Sequence, residues 1–343
     1  RVIRYDSFAS PSQISYRAGN PYDFKALKKL RKQKFDLIHI HSPFVSSLIA
    51  SQLVRNKEIP IVATYHTKFD VDFDERFDIN LVKKVALSFV VSNLKAADEV
   101  WVVSKGAAQS LRDIGYTGEY QVMENGTDFA RGISPQKEQD ALFVEKYGIS
   151  PEELVIVYVG RLMWYKNLKL IMNTLSLAKK RGLKFHMFFV GGGMEEEDIK
   201  SYASSVGIEG ETVFTGMISD REELRKYYSR ADLFFFPSTF DTSGIVVKEA
   251  AACDCPALLV RGSCAAEDVT DGVNGFLAEE NAESLCGKLM EAVRDREKLK
   301  NIGKAAGKDI YLSWEDSISK AYARYEYLVG EWRKRPKKRW YQW

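Results

Sequence analysis

Little in this chain invites covalent cross-linking. Its 343 residues include only four cysteines, Cys253, Cys255, Cys264 and Cys286. The first two are too close for an easy disulfide, and no histidine pair joins them in metal-ligand spacing. They read as small buried thiols in a reducing compartment, which makes the expected location cytoplasmic and implies no metal site. Histidine is equally sparse, at four. No apolar run is long enough to span a bilayer, and no secretory signal is read. Charge of one sign is missing too, with 50 Lys and Arg against 47 Asp and Glu. Six of those cations and only Glu331 lie in the last thirteen residues, so the rest carries 44 basic against 46 acidic groups. A body without a basic field excludes nucleic acid as the expected partner.

What is present is a core. Hydrophobic residues make up 45% of the chain, enough for two α/β domains of ordinary size. Short apolar runs at 34–41, 59–65, 98–103 and 118–123 alternate with helix-forming stretches at 42–55, 79–96 and from Ser104. A polar loop fills 68–78. Such alternation indicates βα units and parallel sheets. Residues 126–152, with mixed charge, Pro135 and Pro151, read as a connection. The same rhythm restarts at 154–159, 185–190, 212–214, 233–236 and 257–260, with helices from Asn167, Glu195, Arg221, Ala282, Lys298 and Ser313. The expected division is a first domain over 1–130, a linker over 131–152, a second domain over 153–330 and a basic aromatic tail over 331–343.

The second half is organised around residues 237–256, which follow the apolar run 231–236. That run reads as a buried strand with Asp232 at its start, followed by the turn Asp241-Thr242-Ser243-Gly244 and a helix over 245–252. Strand, tight loop and helix opening make an anion site, because backbone N–H groups and the positive helix end point the same way. Asp241 precedes the helix and Glu249 lies within it, eight residues further on. Two acids at that spacing also arise by chance in a chain this charged. In open parallel sheets ligands bind beyond the carboxyl ends of strands, a rule that selects His66, Gly160-Arg161, 191–193 and 237–244. Arg161 and Lys166 leave one strand end within a single loop, so both cations can reach one diphosphate. A solvated loop pair is the plain alternative.

Asp241 and Glu249 match the acidic-x7-acidic signature of retaining GT-B glycosyltransferases of the family 4 type, with Asp where most members carry Glu. The Thr-x-Gly part of DTSG is similar to a variant found in bacterial lipid glucosyltransferases such as the diacylglycerol glucosyltransferases. Gly160-Arg161-Leu162, followed by Lys166-Asn167, resembles the family's diphosphate loop, and Asn125-Gly126-Thr127-Asp128 its Asn-Gly-x-Asp. The resemblance covers about 35–325 and implies two Rossmann-like domains with parallel sheets facing across a cleft. It implies that Arg161, Lys166 and the amides of Ser243, Gly244 and Ile245 hold the departing phosphate. Glu249 would then bind ribose, Asp241 would meet the donor sugar hydroxyls, Thr242 would belong with Gly160 to the residues lining the nucleotide sugar, and His66 would face that sugar from the first domain. Gly191 and Gly192 would lie beside the nucleotide, with Gly216, Met217 and Ile218 at its base. The donor implied is a nucleotide sugar, UDP-linked rather than GDP-linked, with no separate cofactor.

Relatives open with a strand and a glycine-rich loop that nothing before Lys34 supplies. The chain starts at Arg1 on a strand-like piece (1–5), so a truncated first domain is expected. His39 and His41 share a strand face and read as core or rim residues. The tail interleaves three Trp with six cations over 331–343, which suits an anionic bilayer headgroup zone on the inner face of the plasma membrane. Together with DTSG it favours a lipid acceptor such as diacylglycerol. The rival reading is a non-catalytic GT-B-like nucleotide-binding or scaffold protein.

Overall fold

The computed structural model describes residues 2–9, 17–54, 59–69, 73 and 80–334. Residues 335–343, which hold most of the basic aromatic tail, and most of the loop at 68–78 therefore lie outside the described residues. The chain forms two units, Arg1–Glu124 with Ile318–Trp343, and Asn125–Ser317.

The first unit begins with an antiparallel pair, β1 (Ser7–Ala9) and β2 (Arg17–Gly19), rather than with a strand at 1–5. A helix, Phe24–Arg31, follows, its first turn capped by the Asp23 carboxylate. The parallel sheet then runs β3 (Ile38–Ile40), β4 (Ile61–Tyr65), β5 (Glu99–Val102) and β6 (Gln121–Val122), in that order. All five residues of β4 are buried, as its continuous apolar run requires of a central strand. Helices Val45–Val54, Asn80–Lys95 and Lys105–Asp113 connect the strands, the last opened by the Ser104 hydroxyl accepting from the Ala107 amide. The final helix, Trp314–Lys334, contributes Arg324, which pairs bidentately with Glu99, and Tyr325, which stacks on Trp101 with centroids 5.1 Å apart. Ser313 accepts from the Asp316 amide and so caps that helix, as its position predicts.

In the second unit six parallel strands take the order β12-β11-β10-β7-β8-β9. In chain order these are β7 (Val155–Val159), β8 (His186–Val190), β9 (Thr212–Gly216), β10 (Leu233–Phe236), β11 (Ala257–Val260) and β12 (Phe276–Ala278). β7 and β10 are wholly buried, and aromatics fill the layers beside them, with Tyr158 stacked on Phe236 at 5.8 Å. Each such ring contributes roughly 1.5–3 kcal/mol by leaving water. Residues 131–152, expected as a linker, instead carry helical turns over Gln136–Asp140 and Ala141–Lys146, and Leu142 and Phe143 join this core. The reason is apolar content: Phe143 meets Phe188 at 5.2 Å and is 1% exposed.

One feature of this order positions the site. Strands leave β7 towards β8 and β9 on one side, and the later strands build outwards from β10 on the other. β7 and β10 are neighbours, paired at Leu233 with Ile156 and Phe234 with Val157. They mark the point where the winding reverses, and the loops beyond their carboxyl ends diverge to leave a crevice.

Candidate functional site

Beyond β7 the chain turns at Gly160 and forms one 3-10 turn, Trp164–Lys166, closed by Asn167 in the left-handed conformation (φ 61°). Asn167 donates to the Pro237 carbonyl at 2.9 Å and to Glu280 at 2.7 Å, tying this loop to the one beyond β10. Lys166 is thereby aimed inwards and is 6% exposed. Its Nζ lies 2.6 Å from Oδ1 of Asp241, seventy-five residues away in sequence. The other Asp241 oxygen, Oδ2, is buried with no partner among the described residues. Phe240 and Tyr165, 4.6 Å apart, flank the ammonium group, each 5.5 Å from it. Arg161 sits on the same Tyr165 ring at 5.8 Å, but it is exposed. The two cations therefore share one aromatic wall while differing in what they face: Lys166 meets a carboxylate, Arg161 meets solvent.

The turn Asp241–Gly244 leads into the helix Ile245–Ala252, which starts from Gly244 at φ 53° without a side-chain cap. A side chain on Gly244 would lie 2.8 Å from the Ala265 Cα, so only glycine lets the turn approach that backbone. The Asn125 amide donates to Ser243 Oγ at 3.2 Å, and the buried Lys248 donates to the Asn125 carbonyl at 3.0 Å. Asn125 thus holds both ends of the first helical turn, with Thr242 and Ile245 beside it in sequence.

The glycines after β8 have a backbone role. Gly191 adopts φ 145°, and a Cβ there would lie 1.9 Å from the Gly160 carbonyl oxygen. At Gly193 the Leu162 carbonyl would be 2.1 Å away, and the Leu162 amide donates to the Gly192 carbonyl at 3.1 Å. These loops lie backbone against backbone, so the glycine run locks the Arg161 loop in place. Gly192 itself has room for a side chain. The Gly191 amide donates to the Gly216 carbonyl at 3.0 Å, and Met217, next in the chain, is 79% exposed.

Glu249 is buried, and both of its oxygens are engaged. Oε1 accepts from Arg221 at 2.7 Å and Oε2 from the Tyr228 hydroxyl at 3.1 Å. Burial raises its pKa above the ordinary carboxylate value, against the pull of Arg221 and Tyr228. Arg221 also pairs with Asp128 and lies 4.4 Å over the Phe129 ring. The helix Arg221–Arg230 delivers both Arg221 and Tyr228, and Asp220 caps its start. Nothing in the sequence pattern marks Arg221 and Tyr228 as partners of Glu249, or Asp128 as the partner of Arg221. Only the Asn-Gly-x-Asp likeness touched one of them.

His66, in the first unit, follows β4. Its Nε2 is 2.9 Å from His41 Nδ1, and His39 bonds Thr64 at 2.7 Å and the Tyr325 hydroxyl at 2.5 Å. Burial lowers all three imidazoles, His66 to about 4 and His39 to about 3, with neighbouring histidines adding to the shifts of His66 and His39. His41 is thus a direct partner of His66 rather than a bystander on the same face. The four cysteines are buried and free, and Cys253 is pushed up to about 12 chiefly by burial.

Comparison with known proteins places these features. Residues 140–309 match the family described as Glycosyl transferases group 1, and residues 1–131 match Glycosyltransferase Family 4. Sulfoquinovosyl transferase of Arabidopsis thaliana is 26% identical over 343 residues, covering 98% of this chain and 65% of its own. Alpha-monoglucosyldiacylglycerol synthase of Streptococcus pneumoniae is 26% identical over 272 residues, covering 78% of this chain and 61% of its own. The chain thus spans a little under two thirds of the length of these curated relatives. Among solved structures, the Anabaena protein HepE in complex with UDP and glucose superposes with a TM-score of 0.73 at 19% identity, over 88% of this chain and 80% of that one. Sucrose-phosphate synthase from Thermosynechococcus elongatus gives 0.73 at 22% identity, over 93% and 82%. At those identities the likeness is one of fold, and the fold is GT-B.

Proposed function

The chain belongs to the group 1 glycosyltransferases of the family 4 type, and from that premise we propose that it transfers a hexose from a nucleoside diphosphate sugar to a membrane glycerolipid with retention. The carrying observation is the meeting of Lys166 and Asp241 where β7 and β10 leave the sheet, beside an uncapped helix start. A diphosphate bound there exchanges for the Asp241 carboxylate on Lys166. Arg161 supplies a second, solvent-facing cation, and the amides at the head of helix Ile245–Ala252 supply the positive end of a helix dipole. Charge developing on the departing phosphate is then met by fixed donors that need no reorganisation.

Asp241, released from Lys166, accepts from donor sugar hydroxyls, and Glu249 accepts from ribose. The departing phosphate takes the acceptor's proton as the acceptor oxygen bonds to the same face of the sugar carbon, so no side-chain base is required. UDP-glucose and diacylglycerol are the donor and acceptor that best suit DTSG, the basic aromatic tail and the glycolipid-forming relative of Streptococcus pneumoniae. Contact with an anionic inner membrane face through 332–343 would bring such an acceptor within reach.

A screen of UDP- and GDP-sugars, with and without a lipid extract, tests this. Release of UDP from UDP-glucose, stimulated by lipid, is the expected result. A second reading, a binding protein without turnover, draws on the closed Lys166–Asp241 pair, in which the cation is already neutralised. Nucleotide binding with no release from any donor would establish that second reading instead.

A further inference from the structure

We infer that Arg221 is the positioning residue for the Glu249 carboxylate, with Asp128 fixing the guanidinium in turn. The inference rests on the reading of Glu249 as the ribose acceptor and goes beyond it. A carboxylate oxygen carries two acceptor sites, so Glu249 can hold a protein donor on each oxygen and still accept from two vicinal hydroxyls. Arg221 takes one site on Oε1 at 2.7 Å, and the Tyr228 hydroxyl takes one on Oε2 at 3.1 Å. The carboxylate plane is therefore set by two residues about two helical turns apart on one face of the helix that starts directly after Asp220. Arg221 is itself held from two other directions. Asp128 shares its NH2 group, and Phe129 lies under the guanidinium at 4.4 Å. Its Nε is buried with no partner among the described residues, so the group is not placed by a full set of its own hydrogen bonds. It is placed by the acids and the ring.

A charge argument supports the same role. Glu249 is buried, and a lone buried carboxylate takes up a proton and loses its capacity to accept from a hydroxyl. The charged and titratable groups around it are Arg221 and Tyr228 from helix Arg221–Arg230, Asp128 from the segment before Phe129, and Cys253 at the end of its own helix. Arg221 is the cation that acts on Glu249 through both a hydrogen bond and its charge. Asp128 raises the Glu249 pKa while orienting Arg221, so Arg221 answers two acids at once.

The test uses the full chain and measures UDP and GDP binding by calorimetry between pH 5 and 8, with donor hydrolysis alongside. Arg221→Gln is expected to weaken nucleotide binding about tenfold at pH 7, the scale of one charge-assisted bond. KM for the donor should rise while kcat changes less. The acid limb of the binding profile should move to higher pH. Arg221→Lys should restore the position of that limb more than the affinity, because lysine returns the charge without the fork. Asp128→Asn should weaken binding less than Arg221→Gln. An unshifted acid limb in Arg221→Gln, or equal loss at every pH with a lowered melting temperature, would overturn the positioning role. Wild-type protein that binds neither nucleotide would overturn the proposed function, and the two failures are distinct.

Discussion

Lys166 and Asp241 face each other at 2.6 Å across the ends of two neighbouring strands, although they come from different βα units. The cation is almost wholly buried and the carboxylate only partly so, which leaves Asp241 the member that a ligand reaches first. Each member therefore sets the availability of the other, and variants at the two positions should behave oppositely towards nucleotide.

Asp241→Ala should abolish sugar transfer without weakening UDP, since it frees the Lys166 ammonium for phosphate. Lys166→Ala should weaken UDP by about 10- to 100-fold, the range for one charge-assisted contact. Calorimetry with UDP and a transfer assay on both variants check this. Unchanged turnover in Asp241→Ala would remove that residue from the mechanism.

Gly191→Ala should destabilise the second unit by about 3 kcal/mol, because it combines a strained φ with a collision against backbone. The Gly160 carbonyl, 1.9 Å from the added carbon, cannot move without disturbing the Arg161 loop. Gly210→Ala, where no atom lies within 4 Å, is the control and should stay within about 0.5 kcal/mol of wild type. Urea unfolding of the three proteins reads the difference.

Acid should loosen the first unit before it reaches ordinary carboxylate range. His39 and His66 have folded pKa values of about 3 and about 4, below the 6.5 of the free imidazole. An unfolded chain therefore binds more protons between those values, so stability is complete above pH 6.5 and falls as pH drops towards them. Each pH unit in that window costs up to about 1.4 kcal/mol per histidine. Urea midpoints at pH 7 and pH 5 should differ in wild type and differ less in His66→Asn. Equal midpoints in wild type would refute the argument.

Removing residues 335–343 spares the described helix Trp314–Lys334 and deletes four cations and two Trp. At about 1 kcal/mol per cation near an anionic surface, sedimentation with phosphatidylglycerol vesicles should fall sharply. No change would rule out a membrane role for that segment.

Much of this architecture is legible in the chain because local pattern carries it. The apolar runs of β7 and β10 announce fully buried parallel strands, and the strand-end rule then selects Gly160-Arg161 and the 237–244 turn. Lys166 and Asp241 are each visible as loop charges, but their pairing depends on which strands are neighbours, and no periodicity encodes that. Glu249 shows the same limit more sharply. Its partners Arg221 and Tyr228 lie on an ordinary amphipathic helix whose charges look solvent-directed, and Asp128 lies more than a hundred residues away. The segment 131–152 misled for a different reason: prolines and mixed charge conceal the two apolar residues, Leu142 and Phe143, that the core takes up. β12 is only three residues long, too short to stand out from its surroundings.

The return of the chain to its first unit has a consequence for synthesis. Tyr325 completes the surroundings of His39 from 286 positions downstream, and Arg324 answers Glu99 from 225 downstream. The second unit is a continuous stretch and can close as soon as it leaves the ribosome. The first must wait, its sheet lacking one wall, until the segment that finishes it has been made; a nascent chain halted before that point would display an open β3–β5 surface for chaperones to shield.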